Sequence, residues 1–469
     1  MSPARPLPYG RADLLRLLRP ASVAVIGASP RPASMGARTM ANLARFPGRV
    51  FPVNAQYDEV AGHRCHPSLD ALPEVPDVAI VALALDRVED AVAACAARGV
   101  GAVVIYAAGY AEMGTEAGCA AQARLAAIGR DARMRIVGPY TAGLADLARG
   151  IVLAFPEFPE PPAGAARIGL VAQSGALGLA LAQAAQRGVA LTHVLTCGNS
   201  ADVDVGDWLA ALAESGDCGA VALTWEGASR ERLLAAGRIA RDRGVAVAAC
   251  RLGLSAIGAE QALFHTGSVV IGEADFRALC AEAGFVPVTR IEALIETACF
   301  LAKAPRVARA RGIGIASGSG GTAILAADAA ARHGLDVPAP SPATVEALRT
   351  ALPPFAAPRN PCDATAQVTA NPQILRGVVD ALLADPSIGA LVCPWGKAYR
   401  SENIAYLDEA ARRSGKPVCL VWMSQWLEGP GTAEAEAAPN LALFRSLDSC
   451  AAALAAWFVQ EMPRDCADQ

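Results

Sequence analysis

The stretch Ile168-Gly-Leu-Val-Ala-Gln-Ser-Gly-Ala-Leu-Gly178 decides the fold. Its opening apolar residues run without the polar alternation of a half-buried strand, so they read as a strand covered on both faces. A Gly-bearing turn follows, and then an Ala-rich segment, Ala176 to Ala185, of helical composition. The same order recurs at Val23-Ala-Val-Ile-Gly-Ala-Ser29 and at Ile313-Gly-Ile-Ala-Ser-Gly-Ser-Gly-Gly-Thr322. Apolar strands alternating with helices indicate an α/β protein built on parallel sheets with helices on both faces. The Pro-rich segment Phe155 to Pro162 and the basic, Ala-rich segment Lys303 to Arg311 interrupt this rhythm and read as linkers. Three domains are expected, at 1–150, 163–303 and 310–462.

Composition narrows the function. The 469-residue chain is 53% hydrophobic and 18% charged, yet much of the apolar content is alanine. No apolar run approaches the roughly 18 to 20 residues of a membrane span. Arginines break up the apolar patch between Met1 and Pro20, so a secretory h-region is absent there. A soluble, cytoplasmic protein is expected. With a formal net charge of −4 and no basic run, the electrostatic footprint of a nucleic-acid binder is missing. The 13 cysteines are scattered through apolar segments without Cys-x-x-Cys spacing, which fits reduced thiols rather than disulfides or metal. His63, Cys65 and His66 form the one close set, and it lacks a fourth ligand.

The chemistry concentrates in Arg251-Leu-Gly-Leu-Ser-Ala-Ile-Gly-Ala-Glu-Gln-Ala-Leu-Phe-His-Thr-Gly-Ser-Val-Val-Ile-Gly272. This segment leaves the apolar strand Val245 to Cys250 and so emerges at a strand's carboxyl end, where open α/β sheets place ligands. Its four glycines read as a mobile loop carrying His265. An imidazole is a competent nucleophile when its second nitrogen is held by a carboxylate. Glu226 closes the preceding apolar strand, Ala220 to Leu223, and neighbouring strands would bring it to the same edge. On residues alone, an ordinary hydrogen-bonded loop histidine remains the alternative. Gln173-Ser-Gly175 places a hydroxyl and successive N–H groups at a helix start, which makes either an anion cradle or a simple cap by Ser174.

In the first domain, the turn Gly27-Ala-Ser29 and Gly36 precede a helix from Ala37 to Arg45, and the second strand ends at Asn54. Dinucleotide oxidoreductases want Gly-x-Gly-x-x-Gly and an acidic residue at that second strand end, and neither is present. Asp86 to Arg98 reads as a helix with Val88, Ala91, Val92 and Cys95 on one apolar face and Gly99 as its stop. Asp202 and Asp204 read as turn and helix-start residues, and His333 as the C-terminal cap of a helix from Ala323.

Phe264-His265-Thr266-Gly267 resembles the phosphohistidine motif of the NDP-forming acyl-CoA synthetases, relatives of the succinyl-CoA synthetase α subunit, and Glu226-Gly227 resembles the dipeptide whose glutamate partners that histidine. Ala24 to Ser29, Pro52-Val-Asn54, Tyr106-Ala-Ala-Gly-Tyr110, Val137-Gly-Pro139 and Cys197-Gly-Asn-Ser-Ala-Asp-Val-Asp204 follow in family order. Leu352-Pro-Pro-Phe355 and Asn360-Pro-Cys-Asp363 extend the likeness into the third domain. The resemblance implies a Rossmann-like CoA-binding domain followed by two flavodoxin-like domains. It implies CoA contacts at Gly27, Ala28, Ser29, Gly36, Asn54, Tyr106, Ala107, Ala108, Gly109 and Pro139. Phosphate contacts are implied at Gln173, Ser174, Gly175, Thr266 and Gly267, with His265 and Glu226 catalytic and no metal in this chain. Ser319 and Asp363 are the third domain's candidates. Departures stand at Gln56, Tyr140, Thr141, Ser200, Arg251 and Phe264.

The expected activity interconverts acyl-CoA, ADP and phosphate with acid, CoA and ATP, through an acyl phosphate and a phosphohistidine. The family's ATP-grasp module has no counterpart in the sequence, so ATP or ADP with Mg is expected on a β subunit, in an oligomeric assembly. A non-catalytic acyl-CoA-sensing subunit and a nucleotide-independent CoA transferase or thioesterase are the other readings.

Overall fold

The computed structural model describes residues 7–158, 167–266, 272–395 and 401–461. The chain forms two compact units, one holding most of the chain through Thr289, the other running from Arg290 and including the short crossing Arg187–Ala190.

The first unit contains two large sheets and a two-stranded antiparallel ribbon, Glu59–Val60 with His63–Arg64. One has five parallel strands in the order Arg49–Val53, Ser22–Ile26, Val78–Val81, Ala102–Ile105, Arg135–Val137. Because all five point the same way, the turns after them share one edge. Helix Met35–Asn42 begins at Ser34, whose hydroxyl accepts the Ala37 N–H, and continues as a 3-10 turn at Leu43–Arg45. Helix Val88–Arg98 buries Val88, Val92 and Cys95 and stops at Gly99, with φ of 82°, as its periodicity requires.

The second sheet has seven strands in the order Val286–Pro287, Ala246–Arg251, Ala220–Trp225, Ile168–Ala172, Leu191–Thr196, Gly143–Asp146, Ile151–Ala154. The first five run parallel, and the last two form an antiparallel hairpin paired to Leu191–Thr196. The hairpin's residues lie mostly within the segment expected to close the first domain, yet they hydrogen-bond to the second sheet. Buried His193 and Asp146 meet there, with Nε2 3.3 Å from Oδ2. Arg149 donates to Asp146 at 2.7 Å and to Asp217 at 2.8 Å. Trp208, Trp225, Phe276 and Phe285 fill the core around this sheet.

The second unit has one parallel sheet, ordered Cys362–Asp363, Gly312–Ser317, Ile388–Trp395, Val418–Trp422, Leu441–Phe444. Trp395, Trp422, Trp457, Phe300 and Phe444 are fully or nearly fully buried in it. Helix Leu294–Lys303, inside the segment expected to end the second domain, packs on the strand Leu441–Phe444. Helix Gly320–Arg332 ends at His333, whose Nε2 lies 3.1 Å from Asp448. No described helix is long and apolar enough to cross a membrane.

Candidate active site

Three neighbouring strand ends of the second sheet carry the polar residues. Their parallel register pairs Ala172 with Thr224 and Trp225 with Arg251, so Gln173, Glu226 and Arg251 come to one sheet edge. All three are buried. The Gln173 side-chain oxygen accepts the backbone N–H groups of both Glu226 and Gly227, each at 2.9 Å. Gln173 N–H also donates to Thr224 O, and its carbonyl accepts from Gly198 N–H, both at 3.0 Å. Gln173 therefore fixes the turn that presents Glu226. Next to it, Ser174 caps helix Gly175–Ala182, its hydroxyl accepting the Leu177 N–H at 3.3 Å. Burial pushes the Arg251 guanidinium below its ordinary pKa.

Beyond Arg251 the chain turns at Gly253, φ 75°, and enters helix Ala256–Thr266. A loop was expected from the glycines. Ala, Glu, Gln and Leu favour a helix over this segment, and the Ser255 hydroxyl accepts the Gly258 N–H at 3.1 Å, capping its start. The backbone of His265 and Thr266 closes this helix. Their side chains, and Gly267, lie outside the described residues, as does the side chain of Phe264. The helix lies against the 3-10 turn Ala111–Met113, which directly follows Gly109 and Tyr110 of the first sheet's edge.

That edge gathers the residues expected around CoA. Gly27, φ 89°, donates its N–H to Val53 O at 3.0 Å. A Cβ on Gly36 would stand 2.2 Å from Gly27 O, so only glycine lets the helix start approach this turn. Ser29 Oγ accepts the Arg31 N–H at 3.1 Å. Asn54 donates from Nδ2 to Ala28 O at 2.8 Å and accepts the Gln56 N–H at 3.0 Å, which ties two strand ends together. Tyr106 is buried, its hydroxyl 3.1 Å from Thr39 Oγ1 and its ring edge-on to Phe155. Burial raises its phenol's pKa, and its side chain braces helix Met35–Asn42 from inside the core. Pro139, after a cis bond to Gly138, offers its carbonyl to the Asn199 N–H at 2.9 Å. Tyr140, φ 59°, donates its N–H to Ala107 O at 2.9 Å and is 45% exposed.

Other polar groups are structural. Asp202 accepts the Tyr9 hydroxyl at 2.9 Å and the Ile136 N–H at 3.1 Å. Asp204 is the N-cap of helix Val205–Ser215 in a reciprocal capping box with Asp207, and both face Arg232. Cys65 is buried with its thiol donating to Asn54 O at 3.4 Å, while His63 is exposed. No group of three or more His, Cys, Asp or Glu able to hold a metal ion occurs among the described residues. In the second unit, Asp363 accepts the Thr365 N–H at 2.9 Å, and Ser319 begins helix Gly320–Arg332 without a side-chain capping bond.

Sequence reasoning singled out neither Glu112 nor Gln122, and read Asn199 only as part of the segment 197–204. Glu112 accepts the N–H groups of Gly109 and Tyr110, and Asn199 Nδ2 donates to both Glu112 and Gln122, the latter at 3.0 Å. The signal for Glu112 was its place two residues beyond Tyr106–Tyr110.

Three family models follow one another along this chain: a CoA binding domain at 21–145, a succinyl-CoA ligase like flavodoxin domain at 165–301 and a ligase-CoA domain at 313–415. That series, on a fold with the edges just described, places the chain among the CoA-binding, succinyl-CoA ligase-like proteins. Among curated relatives it is 36% identical over 390 residues to a trans-feruloyl-CoA synthase from an unknown prokaryotic organism, covering 82% of this chain and 55% of the relative. It is 32% identical to an ADP-forming acetate–CoA ligase of Archaeoglobus fulgidus, covering 74% of this chain and 50% of the relative. The chain thus spans about half the length of these relatives. A subunit alpha of an ADP-forming acetate–CoA ligase from Pyrococcus furiosus matches at 28% identity, with 87% of this chain and 89% of the relative covered. A crystal structure of a Pyrococcus horikoshii protein superposes with a TM-score of 0.82 at 25% identity, covering 95% of this chain and 98% of that one. An acetyl-coenzyme A synthetase from Candidatus Korarchaeum cryptofilum, solved with phosphate and ADP, has the same fold, with a TM-score of 0.82 at 24% identity over 95% of this chain and 96% of that one.

Proposed function

We propose that this chain is the α-subunit-like component of an ADP-forming acyl-CoA synthetase. The observation that carries the reading is the Gln173-clamped turn of Glu226, on the strand beside the one that leads into the helix ending at His265. In the direction of ATP synthesis, a phosphate oxygen attacks the thioester carbonyl. The carbon–sulfur bond breaks, CoA leaves as thiol after taking a proton, and an acyl phosphate remains. An imidazole nitrogen of His265 then attacks phosphorus, the acyl oxygen leaves as the carboxylate, and N-phosphohistidine forms.

Glu226 would accept the N–H of the other ring nitrogen and stabilise the positive charge that develops on the ring. The N–H groups at the start of helix Gly175–Ala182, with Thr266 and Gly267, would hold the phosphoryl oxygens. Gly27 to Ser29, Gly36, Asn54, Ala107 to Gly109 and Pro139 would form the CoA side, chiefly through backbone, with Tyr106 bracing it. The phosphoryl group passes to ADP, held with Mg on an ATP-grasp β partner in an oligomeric, cytoplasmic enzyme. The relatives' names support acetate or another small acid, or an aromatic acid, as substrate.

The test is transfer of label from labelled phosphate plus acyl-CoA to the purified chain. Acid-labile label that vanishes in His265→Ala is expected. Absence of label across a panel of acyl-CoAs, with CoA still bound, moves the assignment to an acyl-CoA-sensing subunit.

A further inference from the structure

Glu112 carries no role in the scheme above, yet its carboxylate sits where the two sheet edges of the first unit meet. One oxygen accepts the N–H of Gly109, and both lie within 3.2 Å of the Tyr110 N–H. The other oxygen accepts from the Asn199 amide, whose Nδ2 also reaches Gln122 at 3.0 Å, while Gln122 Oε1 accepts the Ala111 N–H at 3.3 Å. Asn199 belongs to the turn after strand Leu191–Thr196 of the second sheet, and its own N–H donates to Pro139 O at 2.9 Å. A single carboxylate therefore joins the end of strand Ala102–Ile105 to the second sheet's edge. It does so inside the turn Ala111–Met113, against which helix Ala256–Thr266 rests.

An ionised carboxylate is an acceptor only, with capacity for all these donors at once. Its neutral amide analogue is not, because one of its two ends would point N–H groups at N–H groups. The geometry points to Glu112 as a positioning residue for phosphoryl transfer: it sets the seat of the helix that ends at His265 relative to the loop Tyr106–Gly109. This rests on the phosphohistidine reading. It adds that the approach of acyl phosphate and imidazole is set from the CoA side, through the backbone of Gly109 and Tyr110 and the turn Ala111–Met113.

Glu112→Gln in the full chain tests it, with two phosphoryl donors. Acyl-CoA with labelled phosphate uses the CoA side, whereas labelled phosphoramidate is a small donor that bypasses the CoA side and uses only the phosphoryl-binding side. The expected result is a ten- to hundred-fold slower labelling from acyl-CoA, on the order of what misplacement by about an ångström costs. The KM for acyl-CoA and the phosphoramidate rate should each stay within about twofold of wild type. Equal acyl-CoA-dependent rates in variant and wild type overturn the proposal. Both donors slowing in step also overturns it, since Glu112 is then merely structural. A wild-type chain that takes label from neither donor overturns the phosphohistidine reading itself, and this proposal with it.

Discussion

Replacing Gln173 by Met removes an acceptor while keeping side-chain length and apolar bulk. Two N–H groups, that of buried Glu226 and that of half-buried Gly227, would lose the oxygen that now receives both at 2.9 Å. Glu226 is 8% exposed and Gln173 5%, so water reaches the vacated acceptor position poorly. A buried donor left without an acceptor costs about 1–3 kcal/mol. If that cost falls on local opening of the turn, hydrogen exchange at each of these amides quickens by roughly five- to hundred-and-fifty-fold. Exchange at Gly27 and Ala28, on the first sheet, should not change. The same freedom disperses the Glu226 carboxylate, so labelling from acyl-CoA and phosphate is expected to slow by about tenfold or more while CoA affinity holds. Amide-resolved exchange by NMR or mass spectrometry, beside the labelling rate, decides it. Unchanged exchange at Glu226 and Gly227 would refute the strut. Faster exchange with an unaltered labelling rate would refute its importance to catalysis.

Gly36→Ala places a methyl group 2.2 Å from Gly27 O and 3.2 Å from Ala28 Cα, so the helix start must withdraw from the turn. CoA affinity by calorimetry should fall by about tenfold or more, equivalent to about 1.4 kcal/mol, and an unaltered Kd would remove this turn from the CoA side. In the second unit, burial pushes the Glu296 carboxyl up to about 7 from its ordinary 4.5, with the Arg445 N–H, Arg187 and Arg445 pulling it down and Glu436 pushing it up. From about pH 4.5 to 7 the folded state keeps a proton that the unfolded state has released, so stability is lost as pH rises through this window, by up to about 3 kcal/mol. Glu296→Gln should remove that slope and be the more stable protein at pH above the window. A slope unchanged in chemical denaturation across the range would sink the assignment.

Much of the fold is legible because its signals are local. Apolar runs such as Ile168–Ala172 and glycine turns such as Gly27 announce strand and turn within a few residues, and parallel sheets then bring the strand ends to one edge. The meeting of Glu226 with the strand that leads to His265 was readable for that reason. What was hidden depends on partners far along the chain. Gln173 stands at a turn of the kind that cradles anions, but its oxygen serves two amides 53 and 54 residues away. Tyr106 stood among residues expected to line a ligand, yet its hydroxyl is buried against Thr39. Glu112 and Asn199 meet across 87 residues with no periodicity linking them. Over Ala256–Thr266, the four glycines of the segment 251–272 suggested a loop, whereas its Ala, Glu, Gln and Leu residues favour helix and Ser255 caps it.

The hairpin Gly143–Ala154 shows that a unit of sequence similarity and a hydrogen-bonded sheet need not share their bounds. Matches to known families break between 145 and 165, but the hydrogen-bond ladder runs from Ile151–Ala154 through Leu191–Thr196 without a gap. Cutting the chain at that break would leave strand Leu191–Thr196 as an open edge, a template for pairing with other chains, and would strip His193 of Asp146. A gene fragment spanning the flavodoxin-like segment alone is thus a recipe for aggregation, whereas the first two family segments expressed together carry their own edge protection.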